Sequence, residues 1–325
     1  MKISEANSSL SAVLQNSISD MRDQISDTSK EVVTGFHSDL TLHLDGKIGQ
    51  AQLSKKAVDD IALDRELLTI RQTRIGIAQQ QLENVADASG TLANDARVAI
   101  SMESNFSLET AGQEAEASLE RIFSSLSVRV GQRFLFAGDA TDRPPLAEAS
   151  ELLEDLSQIA QTATDATDFE TQLDTYFNDP AGGWQTNIYL GSENVSDPDS
   201  ISATDPALTD LVRGLSVLAL ARPSLNTPIL STDDALIQSA ADLIDEGNTE
   251  LTLTRAELGR IENRITGELT DLDTEETILS AAFAELAVRD QYEAAAELQL
   301  LETNLEAAYL LTSKLANLSI LNYIR

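Results

Sequence analysis

The sequence predicts a mainly α protein: a long antiparallel helical rod built from both chain ends, with a small mixed α/β module inserted between its halves. Three observations carry this. Hydrophobic residues make up 42% of the 325 positions but aromatic residues only 4%, which favours Ala- and Leu-rich helices over sheets. All seven prolines lie between Pro144 and Pro228. Proline costs about 3 kcal/mol in a helix interior, so the two flanks are free to be long helices and the middle is not. The charge divides the same way. The net charge is −32, and between Asp139 and Glu250 the only cations are Arg143, Arg213 and Arg222. The predicted division is therefore 1–49 with 295–325 as a terminal coiled-coil pair, 50–138 with 229–294 as a rod, and 139–228 as an acidic outer module.

In the first arm Ile3, Leu10, Leu14, Ile18, Met21, Ile25, Thr28 and Val32 recur at helical spacing and define one apolar face. Gly35 interrupts it, and "GFHSDLTLHLDGKIG" reads as a turn with a short extended piece. Helical periodicity resumes near Gln50 and runs to about Val130, on the order of 120 Å if continuous, with Gly76, Gly90 and Gly112 as possible breaks. The last arm opens at "LSTDDALIQSAADLI", where Ser231 followed by Asp234 resembles a capping box, and a break is expected near Gly247. Farther on, Leu298, Leu301, Leu305, Ala308, Thr312 and Leu315 form a heptad-like seam, with Leu300, Leu311, Leu318 and Leu321 beside it. That face is wider than the seam of a two-stranded coiled coil, so it needs more than one neighbour. The expected assembly interface is Leu14, Ile18, Met21 and Ile25 with Leu298, Leu301, Leu305, Leu315, Leu318 and Tyr323.

In the middle, "LAEASELLEDLSQIA" and "DPALTDLVRGLSVLALA" read as helices, the second with Asp205 as N-cap and Pro206 at its first position. "WQTNIYLGS" alternates like a strand, with Trp184, Thr186, Ile188 and Leu190 on one face. The aromatic plug "RFLFAG" precedes the module. Phe134, Phe136 and Gly138 are expected to mark the rod–module junction.

The sequence offers no catalytic constellation. It lacks nucleophile-elbow, phosphate-loop and dinucleotide motifs, and with no cysteine it has no disulfide framework or thiolate metal site. His37 and His43 read as surface residues, and "NVSDPDS" as a solvated acidic loop without calcium-loop spacing. We therefore expect no enzyme activity, metal or cofactor. The acidic charge disfavours nucleic acid and anionic lipid, and no run reaches the ~18 apolar residues of a membrane span. The opening residues do not form a standard cleavable signal.

Four stretches resemble the bacterial flagellin-like axial proteins: "ISDMRDQISDTSKEVVTGF" (18–36), "RAELGRIENRI" (255–265), the run Gly131–Gly138, and "NLEAAYLLTSKLANLSILNYIR" (304–325). The last two are similar to the members that form the hook–filament junction. This resemblance implies a structural subunit at that junction, exported by the flagellar type III apparatus and located in the extracellular flagellum. It implies contacts with copies of itself, with other hook-associated proteins and with flagellin, and a cytosolic export chaperone. Filament flagellin stays open as an alternative, as does a cytosolic coiled-coil adaptor. The loop after Gly35 lacks the paired aspartates and proline common in the family.

Overall fold

The computed structural model describes residues 2–44, 48–197, 200–225, 227, 229–230 and 233–323; side chains are described from Val13 to Lys314, except at 41 and 42. The chain is mainly α. Its helices are α1 (Lys2–Thr34), α2 (Leu40–Leu44), α3 (Ile48–Ser89), α4 (Leu92–Ser101), α5 (Asn105–Leu126), α6 (Ala149–Thr162), α7 (Ala166–Asn178), α8 (Pro206–Leu220), α9 (Asp234–Ala287) and α10 (Gln291–Tyr323). The strands β1 (Arg129–Val130) and β2 (Arg133–Phe134) pair antiparallel, Arg129 opposite Phe134. The chain folds as two compact units, one of residues 1–65 and 270–325, the other of residues 66–269.

In the first unit α1 packs on α10. α1 ends at Gly35, whose φ of +73° is the left-handed conformation that closes a helix at little cost for glycine. The turn after it pairs with the turn before α10. Phe36 and Val288 form an antiparallel bridge, His37 N donates to Ala287 O, and Arg289 N donates to Gly35 O. Asp290 caps α10, its Oδ1 accepting from Tyr292 N at 2.8 Å. The expected turn with an extended piece is thus present at 35–38, but it is followed by the short helix α2.

The second unit has one continuous core. It joins Leu82, Leu119, Ile122 and Leu126 of the early helices to Leu152, Leu156 and Phe169 of the middle segment, and to Ile237, Ala241 and Ile244 of α9. Side-chain pairs along α3, α4 and α9 step in opposite directions, residue for residue. Gln72 meets Thr266, Glu83 meets Arg255, Ser89 meets Asn248, and Arg97 meets Asp242 and Asp245.

Several local expectations change. Of the glycines expected to break the first long helix, only Gly90 does so; a second break falls at Met102–Ser104, where Glu103 has φ +46°. Gly76 and Gly112 lie inside helices. A Cβ at Gly112 would stand 3.0 Å from Leu218 O and 2.3 Å from Arg222 Cγ, so this glycine lets α8 approach α5. The break expected near Gly247 is absent, and α9 runs through it. There the backbone of α8 comes close, at 2.8 Å from a Cβ to Leu211 N, and Gly214 of α8 answers with 2.6 Å to Ala240 O. The strand expected at 184–190 is a π-helical turn, Trp184–Ile188. Trp184 and Ile188 are buried, while Thr186 and Leu190 are exposed. A four-residue spacing fits a helical turn as well as a strand, and so short an apolar run does not choose between them. Residues 231 and 232 lie outside the described residues, and with them the capping box at Ser231.

Candidate assembly surface

The apolar face read on α1 is the face that turns inward. Ile18 and Thr28 are buried, and Leu14, Met21, Ile25 and Val32 are half-buried. On α10, Ala308 is buried and Leu298, Leu301, Leu305 and Thr312 are half-buried. Both stripes follow from 3.6-residue periodicity, which stacks positions three and four apart on one side. Between the two helices Arg22 Nε donates to Tyr309 Oη at 2.8 Å, and its guanidinium lies 5.7 Å from the ring centre. The side chains of Leu315, Leu318 and Tyr323 lie outside the described residues.

A second set of apolar side chains on α10 is exposed. Leu300 is 60% exposed, Leu310 64% and Leu311 55%. Leu300 and Leu311 stand three turns apart on one side of the helix. Fully burying each leucine is worth roughly 1.5–3 kcal/mol.

The pair of turns that holds α1 to α10 contains a feature the sequence reading missed. Glu31 is buried, yet its carboxylate is fully engaged. Oε2 lies 2.9 Å from Arg289 Nη1, Oε1 accepts from Ser38 N at 2.8 Å, and His37 Nδ1 stands 3.8 Å from Oε1. Arg289 also pairs with Glu297. His37 and His43 stack with ring centres 3.6 Å apart. Burial, then the neighbouring His43, push the His37 pKa below its ordinary value, although Glu31 acts the other way. Gly35 and the Asp290 cap were readable signals for these turns; the match of Glu31 to Arg289 is a tertiary fact that no local pattern carries.

The predicted junction residues sit together. Phe134 is half-buried in β2 under the Arg129 guanidinium, 5.7 Å from its ring centre. Phe136 is fully buried in the core of the second unit. Gly138 has φ +58°, and a Cβ there would stand 2.2 Å from Ser192 O, so the returning chain crosses directly over it. Ser192 N donates to Ala137 O and Asp139 N to Asn194 O, while Asp139 Oδ1 and Oδ2 take Ser196 N and Oγ at 2.9 and 2.7 Å. These bonds hold the Asp139 carboxyl below its usual range. Among the described residues no cluster of three or more His, Asp or Glu side chains could hold a metal ion, and no helix is long and apolar enough to cross a membrane.

Residues 241–324 match the family model of the bacterial flagellin C-terminal helical region. The match supports a flagellin-like family, and with it a structural subunit of the extracellular flagellum that polymerises with its own kind. The mainly α architecture agrees with that class. No curated protein matches the chain.

Proposed function

We propose that this protein forms the junction layer between hook and filament. The observation that carries the reading is the run Gly131–Gly138, "GQRFLFAG", which resembles the junction members of the family more than flagellin. It supplies the turn and second strand of the β1–β2 hairpin, buries Phe136, and turns at Gly138. The assembly surface is the outward side of the α1–α10 pair, with Leu300, Leu310 and Leu311 covered by neighbouring subunits. The other hook-associated proteins and flagellin are its axial neighbours, and an export chaperone covers α10 before secretion. In this role no catalytic step is required. The test is immunogold or fluorescent labelling along intact flagella. A single labelled point at the hook–filament boundary is the expected result. Label along the whole filament would make the protein a flagellin instead, and label confined to the cytosol would remove the flagellar reading altogether.

A further inference from the structure

α8 and α9 cross with their backbones in close approach. A Cβ at Gly247 would stand 2.8 Å from Leu211 N and 2.9 Å from Ala207 O, and one at Gly214 would stand 2.6 Å from Ala240 O. The crossing fixes where the neighbouring side chains start. Asp210 adjoins Leu211 and Glu246 adjoins Gly247, so standard backbone lengths put their Cα atoms within about 11 Å of each other. Glu250 lies one turn farther along α9. Asp205 caps α8, its Oδ1 accepting from Ala207 N at 3.0 Å. Four carboxylates thus gather about one crossing. Asp205, Asp210 and Glu250 are half-buried, where repulsion is screened less than at the open surface.

Little offsets this charge. The groups facing Asp210 are Arg213 of its own helix, Glu246 of α9 and Asp174 of α7. Those facing Glu250 are Asp210, Glu246 and Asp205. Arg213 is the one cation in that set, and its Nη1 is already held by Asp174 at 3.1 Å. Burial raises the Asp205, Asp210 and Glu250 carboxyls above their ordinary range. The Ala207 amide opposes the rise at Asp205, and Arg213 opposes it at Asp210. The like charges add to it at Asp210 and Glu250.

We propose that the α8–α9 crossing is a proton-operated clamp, under like-charge tension at neutral pH and tightened when acid neutralises its carboxylates. The inference stands apart from the junction reading and does not need it. A carboxyl with a raised native pKa takes up its proton in the folded chain before the unfolded one. Stability therefore rises as pH falls through the native value, and the gain is complete below the ordinary 3.8 of Asp and 4.5 of Glu. Glu109, Asp139, Asp168 and Asp242 of the same unit are held low, so they cost stability only as pH reaches those ordinary values and passes below them. Between pH 7 and pH 5 the second unit should tighten, the interval in which the His37 site loosens the first.

The test is urea unfolding of the full chain at pH 7 and pH 5, followed by the fluorescence of Trp184, which is buried in the core of the second unit. Glu250→Gln should raise the midpoint at pH 7 and lose about half of that gain at pH 5, because the wild-type carboxyl is by then partly protonated. Asp210→Asn should behave alike. The double variant should gain less than the sum of the two, since each charge strains the other. Glu114→Gln removes the same charge from an exposed position on α5 and should move the midpoint little at either pH. A midpoint at pH 7 that Glu250→Gln leaves unchanged or lowers overturns the clamp. So does a gain of equal size at both pH values, additivity of the two substitutions, or an equal gain from Glu114→Gln, which would assign the effect to net charge alone.

Discussion

Arg289 reaches the buried carboxylate of Glu31 at 2.9 Å, and through this pair the turn after α1 is fixed to the turn before α10. Removing Glu31 leaves Arg289 with Glu297 alone and takes the acceptor from Ser38 N, at about 1–3 kcal/mol. Glu31→Ala should therefore loosen the first unit locally. The amide of Ser38, which donates to Glu31, should exchange faster with deuterium. Trp184, the single tryptophan, reports on the second unit, and its fluorescence transition should not move. A Ser38 amide with unchanged protection would show that the pair does not hold the turn.

Acid should act at the same place. The charged and titratable groups facing His37 are His43, Glu31, Arg289 and Glu293. The native pKa of His37 lies below the ordinary 6.5, so the unfolded chain takes up the proton first as pH falls. The stabilisation is complete above pH 6.5 and declines below it, until the native pKa is passed. The denaturation midpoint of the first unit, followed by amide exchange at Phe36 and His37, should fall between pH 7 and pH 5. His37→Gln should flatten that decline. A decline of equal slope in the variant would assign it to other groups.

Gly214 and Gly247 let α8 and α9 approach backbone to backbone. A Cβ at Gly214 would stand 2.6 Å from Ala240 O and 2.8 Å from Ile244 Cγ1, neither of which can give way cheaply. Gly214→Val should cost 1–3 kcal/mol or more, visible as a lower melting temperature by circular dichroism. Gly76→Ala is the control: nothing lies within 4 Å of a Cβ there, and stability should hold or rise slightly.

Leu311 is 55% exposed on α10. Leu311→Asp should leave the melting temperature of the isolated chain nearly unchanged, within about 0.5 kcal/mol, yet block incorporation into the flagellum. Incorporation at the normal level would remove this face from the assembly surface.

The long helices were legible because their signals are local. The stripe Leu14, Ile18, Met21, Ile25 and the seam Leu298, Leu301, Leu305 repeat at helical spacing, and the prolines excluded helix only where they occur. The middle segment was read less well. Its acidic, proline-bearing composition suggested a module apart from the rest, whereas Leu152, Leu156 and Phe169 share one core with Leu119 and Ile122. Composition reports what a segment shows to water, not what it packs against. Gly112 and Gly247 misled for a related reason. A glycine in a helical pattern signals either a break or a close neighbour, and only the folded structure identifies the neighbour. The partnership of Glu31 with Arg289 spans nearly the whole sequence and leaves no periodic trace.

The residue-for-residue pairing of Gln72, Glu83, Ser89 and Arg97 with Thr266, Arg255, Asn248 and Asp242 ties the lengths of two distant stretches together. Removing seven residues from α3 alone, between Gln72 and Glu83, would slide one side past the other by two turns and separate Glu83, Ser89 and Arg97 from their partners together. Removing seven residues from α9 as well, between Arg255 and Thr266, would restore all three. The two segments can therefore change length in evolution only in step, like the two halves of a zip fastener.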